Sequence, residues 1–188
     1  MAHHQHDPGP ADGIVPTDAE APAIDTDDLD IREMQLEDIH RVFSLGERLF
    51  TPDRWPSLYR TWDEYEVVGL FASDGDFCFV ADLAGRIVGF ALGTLIEKRR
   101  SAWTYGYLLW LGTDPQLRRM GIAKQLVERF TEQCMDEGAR MMMVDTAAEN
   151  EEAIRFFRRQ GYGKSVQHVY MSRNLTTLPQ YRRRRRDA

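Results

Sequence analysis

A strand-like segment leads through a short basic turn into a helix, and this arrangement can hold a phosphate group. The turn and the first helical residues read Arg118-Arg119-Met120-Gly121-Ile122-Ala123. The first N–H groups of a helix lack partners within it, and the helix dipole favours negative charge there. Gly121 allows close backbone approach. The glycine spacings of dinucleotide-binding and Walker loops are absent. The segment predicts either a different kind of phosphate site or an ordinary helix start.

A second signature follows about 30 residues later and reads Asn150-x-x-Ala153-x-x-Phe156-Phe157-x-x-x-Gly161-Tyr162. Asn150 suits a helix N-cap, because its side chain can accept from a free backbone N–H of the first turn. The alanine and the phenylalanines suit a buried face. An ordinary amphipathic helix explains these apolar positions, but not their occurrence together with the first motif.

Hydrophobic spacing predicts the elements that must position these motifs. The predicted order is β-α-α-β-β-β-α-β-α-β, which is an α/β (α+β) class with a mixed sheet flanked by helices in one domain. The predicted strands are 31–34, 77–83, 86–96, 103–113, 140–146 and 168–174, and the predicted helices are 36–50, 57–71, 121–137 and 149–160. Ala84-Gly85 predicts a hairpin turn, 140–146 a buried type of strand, and Asp74-Gly75-Asp76 a turn.

The chain from Ile31 to Asn174 resembles the GNAT superfamily of acetyl-CoA-dependent N-acetyltransferases. The resemblance rests on the strand order and on the two motifs at their expected separation. Within the superfamily, the string from Tyr107 to Thr113 and the loop 118–123 look most like protein N-terminal acetyltransferases. The resemblance implies a GNAT-type sheet that splays between the strands 103–113 and 140–146 to form a slot for acetyl-CoA.

The resemblance also implies how the cosubstrate is held. Amides of the loop would hold the pyrophosphate, main-chain groups of Leu111 and Thr113 would pair with the pantetheine arm, and Asn150 would bond that arm from the other side. The N–H near Thr113 would polarise the thioester carbonyl. The cofactor-binding residues expected in this way are Leu111, Thr113, Arg118, Arg119, Met120, Gly121, Ile122, Ala123, Asn150 and Phe157. No metal is expected.

The amine must be neutral to attack a thioester, so a lysine amine with a pKa of about 10.4 needs more help than an α-amine at about 7.7–8.0. Family members often carry Glu on the third long strand, where this chain has Tyr107. Some N-terminal acetyltransferases pair Tyr there with a polar residue on the next strand, here Asp145. This pair is the expected proton relay, with Glu149 and His168 in reserve. Packing for Tyr107 and loop capping for Asp145 stay open as alternatives.

The chain departs from the family pattern at Phe157, where many members carry Tyr as general acid for the leaving thiolate. Phe cannot donate a proton. Three consequences stay open: another hydroxyl of Tyr162, Tyr105 or Tyr170 donates, the thiolate leaves unaided, or the protein binds acyl-CoA without efficient transfer. Since a thiol has a pKa of about 8.5, its thiolate is a tolerable leaving group near neutral pH.

The amine acceptor is expected to enter beside the segment 50–72. The wall would be lined by Phe50, Arg54, Trp55, Tyr59 and Trp62. The alternative is that these residues form the core that fixes the two helices.

Charge is concentrated at the two ends of the chain, whose formal net charge is −6. Residues 1–30 hold eight acidic residues, four of the eight prolines and no Lys or Arg, a composition typical of disorder. At the other end, Arg182–Arg186 is an uninterrupted block that could contact protein, RNA, an acidic membrane or the acidic arm, or could simply be solvated. The predicted organisation is a disordered acidic, proline-rich arm at 1–29, a GNAT domain at 30–175 and a basic tail at 176–188.

Composition excludes several classes. No apolar run reaches the ~18 residues of a membrane span, residues 1–30 do not form a secretory signal, and two cysteines, Cys78 and Cys134, exclude a disulfide scaffold. We therefore expect a cytoplasmic N-acetyltransferase that moves an acetyl group from acetyl-CoA to a primary amine, a peptide N-terminus or a small amine, in a ternary complex. The alternative is an acyl-CoA-binding sensor module with little turnover.

Overall fold

A five-stranded sheet with strand order β1-β2-β3-β4-β5 organises the molecule. The computed structural model describes residues 28–51, 53, 61–97, 103–163, 165–166, 169, 171 and 173–184. The strands are β1 (Leu29–Glu33), β2 (Cys78–Leu83), β3 (Arg86–Glu97), β4 (Thr104–Thr113) and β5 (Met141–Val144). The helices are α1 (Ile39–Leu49), α2 (Glu64–Asp74), α3 (Ile122–Asp136), α4 (Glu151–Arg159) and α5 (Pro179–Arg184). The first four strands are antiparallel neighbours, and β5 is parallel to β4.

The helices cover the two faces of the sheet with separate cores, because alternate strand residues point to opposite faces. On β2, Phe79 and Ala81 point to the core formed with α3 and α4, while Cys78 and Val80 point to the core formed with α1 and α2. The predicted mixed sheet flanked by helices is therefore confirmed. The predicted hairpin turn is confirmed as well, since Ala84 and Gly85 both have positive φ, as a tight two-residue turn requires.

An ion-pair network ties the first strand to its neighbours. The guanidinium of Arg32 on β1 donates to Asp38 before α1 at 2.6 Å and to Asp82 on β2 at 2.9 Å. Burial disfavours the ionised carboxyl of Asp38, but the hydrogen bonds from Arg32 and from the backbone of Gln35 outweigh it and hold its pKa below the usual value. The ion pair between Arg32 and Asp38 therefore fixes the orientation of α1 relative to β1.

The predicted second helix starts later than expected. Its N-cap is Asp63, whose carboxylate accepts from the amide of Glu66 at 2.8 Å, and not Ser57, which lies in the stretch 54–60 outside the described residues. The predicted turn Asp74-Gly75-Asp76 lies one residue later than expected. The helix continues to Asp74, and Gly75–Phe77 forms a further helical turn. The prediction started the second helix directly after Pro56, whereas the side-chain cap at Asp63 starts α2 several residues later.

The predicted strand at 168–174 is wrong for the residues that can be tested. Val169, Met171 and Arg173 are exposed and lie outside any strand, while His168 is among the positions outside the described residues. Asn174 instead caps a helical turn by accepting from the amide of Thr176 at 2.9 Å. The described residues 169, 171 and 173 bury no side chain against the sheet, so nothing at these positions stabilises a strand.

Two burial predictions also need correction. The strand predicted at 140–146 is shorter, and β5 is half-buried to exposed, since among the described residues it lies at the edge of the sheet. On α3, Met135 is 60% exposed, and Cys134 takes the buried position instead. The other predicted apolar positions of α3 are buried, so the helical periodicity itself is confirmed.

Two helical glycines give a matched test of the packing around α1. A Cβ on Gly46 would overlap the buried indole of Trp62, whereas a Cβ on Gly69 of α2 would meet nothing within 4 Å. We expect Gly46→Ala to lower the free energy of unfolding by about 1–3 kcal/mol through overpacking. Gly69→Ala should raise it by up to ~1 kcal/mol through helix propensity. Urea unfolding measures both, and equal effects would contradict the packing described.

Candidate functional site

The central strands pair over only part of their length, and this leaves an open edge. The residues of β4 from Tyr105 to Leu108 pair with β5 from Met141 to Val144. Beyond Leu108, the register of the described residues gives the segment 109–113 no strand partner on that side. We call this point, where the pairing of the two strands ends, the fork; the resemblance implied that the strands separate, and main-chain groups of 109–113 are left without a strand on that side.

A bulge sits on β4 at the same place. Leu92 of β3 lies opposite Trp110, and the next residue, Gly93, lies opposite Leu108, so Leu109 has no partner in this register. An extra residue in one strand bends it and redirects the side chains that follow. As a result Leu108 faces the core with α3, whereas Trp110 faces the core with α1 and α2.

Tyr107 and Asp145 meet at the fork. The hydroxyl of Tyr107 donates a hydrogen bond to a carboxylate oxygen of Asp145, which directly follows the last residue of β5. Tyr107 is half-buried, and Asp145 is exposed. Tyr107 lies opposite Thr94 of β3, and Thr94 contacts α2, so the phenol is on the α1 and α2 face of the sheet. The structure thus brings together the two residues that the family resemblance paired.

The segment between β4 and α3 forms a tight loop with its backbone exposed. Asp114 is 5% exposed, and its carboxylate accepts from the amide of Gln116 at 3.0 Å, which fixes the first turn of the loop. Arg119 and Gly121 have φ of 71° and 76°, in the left-handed region that favours glycine. A Cβ on Gly121 would meet nothing within 4 Å, so the space in front of α3 is open to a ligand.

The charges around this loop favour an anion. The first turn of α3 contains no acidic residue, and its free N–H groups face the opening. Arg118 is exposed and pairs with Glu152 of α4 at 3.3 Å, which links the loop to the neighbouring helix. Ile122 buries its side chain in the core, so it offers a ligand only its backbone. These observations fit a pyrophosphate group.

Asn150 caps α4 as predicted. Its side-chain oxygen accepts from the amide of Ala153 at 3.2 Å, and its side-chain nitrogen donates to the hydroxyl of Thr146 at 3.1 Å. Phe157 is 7% exposed and packs in the core, with ring centroids 5.1 Å from Phe156. The structure therefore places the side chain of Phe157 among apolar neighbours, and its contact with a cosubstrate stays a prediction.

The proposed proton donors differ in their surroundings. The hydroxyl of Tyr162 is buried without a hydrogen-bond partner in the described part of the chain, and burial raises its pKa to about 12. The ring of Tyr105 lies 6.5 Å from that of Trp103 in a stacked arrangement. Tyr170 and His168 lie outside the described residues, and Glu149 is exposed.

Only two residues of the predicted acceptor wall, Phe50 and Trp62, are among the described residues. Phe50 and Trp62 belong to the core with α1 and α2, and the ring of Phe50 lies 5.3 Å from that of Trp62 and 4.9 Å from that of Trp110. The alternative of a core role is therefore confirmed for these two. Arg54, Trp55 and Tyr59 lie outside the described residues.

Sequence reasoning did not single out two carboxylates of α2 that contact the sheet near Tyr107. Glu66 accepts from the indole nitrogen of Trp110 at 3.1 Å, and Asp74 accepts from the hydroxyl of Thr94 at 2.6 Å. Both approach the sheet on the face that carries Tyr107. Their partners are 44 and 20 residues away in sequence, so no local pattern could have indicated them.

No group of His, Cys, Asp or Glu among the described residues could hold a metal ion. No helix within the described ranges has the length and apolar character to cross a membrane.

Comparisons with known proteins agree with this geometry. The model of the acetyltransferase (GNAT) family matches residues 39–162. The chain is also similar in structure to an aminoglycoside acetyltransferase, meta-AAC0020, from an uncultured soil metagenomic sample. The TM-score is 0.63 at 21% identity, and the match covers 79% of this chain and 98% of that one.

Two further solved structures share the fold. The aminoglycoside N-acetyltransferase AAC(6')-Iy in complex with CoA has a TM-score of 0.62 at 20% identity, covering 77% of this chain and 94% of that one. Ard1 from Thermoplasma volcanium has a TM-score of 0.60 at 24% identity, covering 74% of this chain and 85% of that one. With a family model matched over most of the folded part, the chain belongs to the acetyltransferase (GNAT) family.

Proposed function

We propose that the protein transfers the acetyl group of acetyl-CoA directly to a primary amine of a small molecule or a peptide N-terminus, with both substrates bound at the fork. The observation that carries the proposal is the hydrogen bond from Tyr107 to Asp145 where β4 and β5 separate. This pair can take a proton from an amine that enters on the α1 and α2 face. The loop before α3 holds the phosphates of acetyl-CoA at the far end of the slot.

The proton relay operates as the new bond forms. The neutral amine nitrogen attacks the thioester carbonyl, and the positive charge that develops makes its remaining protons far more acidic than those of a free ammonium group. The oxygen of Tyr107 accepts one of these protons while the phenolic proton passes to Asp145. The N–C bond has then formed, the C–S bond breaks with its electron pair on sulfur, and the proton leaves from Asp145 to water.

The amide that stabilises the carbonyl oxygen is best placed at the bulge. Thr113 was the expected donor, but it lies six residues beyond Tyr107 on one strand, a span of roughly 20 Å. A relay at Tyr107 and an amide at Thr113 cannot serve the same carbonyl. Leu109 has no partner in the β3–β4 register and is two residues from Tyr107. We therefore assign the oxyanion contact to Leu109, and to Leu111 and Thr113 the pairing with the amides of the pantetheine arm.

The remaining expected contacts follow the path of the cosubstrate. The backbone from Arg118 to Ala123 binds the pyrophosphate, with Arg119 and Gly121 providing the left-handed turns that expose it. The side-chain oxygen of Asn150 already caps α4, and its side-chain nitrogen already donates to the hydroxyl of Thr146. Asn150 therefore fixes the helix that borders the slot. Any hydrogen bond from Asn150 to the pantetheine arm must use the same side-chain oxygen or nitrogen.

The leaving thiolate departs without a proton from α4. Phe157 has no donor group, and the buried phenol of Tyr162, with its pKa raised to about 12, is a weaker acid than an ordinary tyrosine. A thiol pKa of about 8.5 makes the thiolate a tolerable leaving group. The same feature motivates the second candidate function, an acyl-CoA-binding module with little turnover.

A direct assay separates the two candidate functions. We expect calorimetry to show acetyl-CoA binding, and CoA release above the hydrolysis rate when a pool of amines is added. The pool contains polyamines, aminoglycosides, amino acids and peptides with varied N-termini, since aminoglycoside acetyltransferases are among the structural neighbours. Binding without release for any amine favours the module, and no binding contradicts the whole assignment.

The relay predicts an effect that depends on the acceptor. Tyr107→Phe and Asp145→Asn should each lower kcat/KM about 10²-fold for an acceptor amine with a pKa near 10, because proton removal contributes about 10²–10⁴. For an α-amine with a pKa near 8 the loss should be less than about tenfold, because the protonated nitrogen formed by its attack is more acidic and gives its proton to water more readily. Steady-state kinetics at one pH with two acceptors measures the difference. Tyr65→Phe, which removes an 87% exposed phenol from α2, is the control. Equal losses for both acceptors would remove the pair from proton transfer.

The phosphate loop is tested by a variant at Gly121, before α3, and by a matched control at Gly138, after α3. Gly121→Glu places a carboxylate where the phosphates bind and should weaken acetyl-CoA binding at least about 10²-fold by calorimetry. Gly138→Glu makes the same change at the other end of the helix, at nearly the same φ, 77° against 76°, and also in open space. Both variants pay the same backbone strain. If they bind acetyl-CoA equally well, the loop is not the phosphate site.

A further inference from the structure

A basic cleft lies between α1 and the turn that joins β2 to β3, on the face of the sheet away from α3. Its volume is about 480 Å³. One side of α1 forms its floor, with residues at helical spacing, and the turn forms its rim. The lining residues are His40, Arg41, Ser44, Leu45, Arg48, Gly85, Arg86 and Ile87. Neither motif of the acetyltransferase site contributes to it.

The charge of this cleft is one-sided. Three arginines and a histidine line it, and none of its lining residues is acidic. The guanidinium of Arg41 donates to the backbone carbonyl of Gly85 at 3.2 Å, which holds the helix against the turn. Arg86 lies 3.6 Å from the carboxylate of Asp114. Within the described ranges, Arg41 and Arg48 form no ion pair. The cleft is therefore suited to an acidic occupant.

The chain itself supplies an acidic segment that begins next to the cleft. Residues 1–28 contain seven acidic side chains and no Lys or Arg. Leu29, the first residue of β1, lies opposite Leu83, and Gly85 at the rim of the cleft follows two residues after Leu83. The acidic segment is thus attached to the fold within a few residues of the basic lining.

We propose that this cleft binds the acidic segment 1–28 of the same chain. Complementary charge supplies the attraction, and the short connection supplies a high effective concentration, of millimolar order for a short tether. Each exposed ion pair contributes little alone, so the contact depends on several acids that share the cleft and weakens as salt screens them. The segment then lies over α1, away from the phosphate loop.

A nitroxide label on the acidic segment tests the contact in the full chain. Ala21→Cys provides the attachment point, since Cys78 and Cys134 are 0% and 1% exposed and do not compete for the label. In the ¹⁵N-labelled protein at low salt we expect paramagnetic broadening of the backbone amides of Ser44, Arg48 and Gly85. The broadening should fall at least about twofold at high salt, as screening requires.

Two charge variants identify the partner of the segment. Arg41→Gln combined with Arg48→Gln should abolish the broadening, and both side chains are exposed and outside the core. Arg155→Gln combined with Arg158→Gln removes the same charge from exposed positions on α4 and should leave it unchanged. Neutralising the block 182–186 should leave it unchanged as well.

Several results would overturn the proposal. These are no broadening at the cleft, broadening that survives the double change in α1, or broadening that disappears with the block 182–186. A mixture of ¹⁵N-labelled chains without nitroxide and nitroxide-labelled chains without ¹⁵N reports contacts between copies. Broadening at the cleft in that mixture as strong as in the single chain would assign the cleft to a second copy and overturn the intramolecular contact.

Discussion

The early end of the pairing between β4 and β5 is the constraint on which the rest of the structure depends. Main-chain N–H and C=O groups must find partners when they are removed from water, yet the segment 109–113 has no strand beside it on the β5 side among the described residues. This edge of a central strand is suited to a ligand with peptide-like amides. The pantetheine arm of acetyl-CoA has such amides, so in our proposal the cosubstrate takes the place of the missing strand residues.

Two cores keep the fork open by holding β4 from both faces. Leu108 is packed against α3, and Trp110 is packed against α1 and α2. Two residues that are two positions apart in a regular strand face the same way, so the bulge at Leu109 is what turns these two to opposite faces. The interior is packed too densely for β4 to shift towards β5 without losing contacts on one face. The bulge, the fork and the hydrogen bond from Tyr107 to Asp145 therefore arise from one arrangement of the strand.

Local patterns predicted what local physics decides. The periodicity of α3, the two-residue hairpin at Ala84-Gly85 and the cap at Asn150 depend on residues close in sequence, and each is confirmed. The start of α2 and the absence of a strand at the described positions of 168–174 depend on tertiary packing, which local patterns do not encode. The bulge at Leu109 and the contacts of Glu66 and Asp74 join distant segments, so a single sequence carried no signal for them.

The distribution of charge gives the two ends of the slot different partners. Arg118 and Arg119 stand at the end where the loop opens, whereas Glu66, Asp74 and Asp145 stand on the face that carries Tyr107. A surface with separated charges of this kind steers oppositely charged ligands to different places before any contact forms. In our proposal, the phosphates of acetyl-CoA are drawn to the loop and a cationic amine is drawn to the fork. On that proposal each substrate is repelled from the end that suits the other, so the field favours the productive orientation of both.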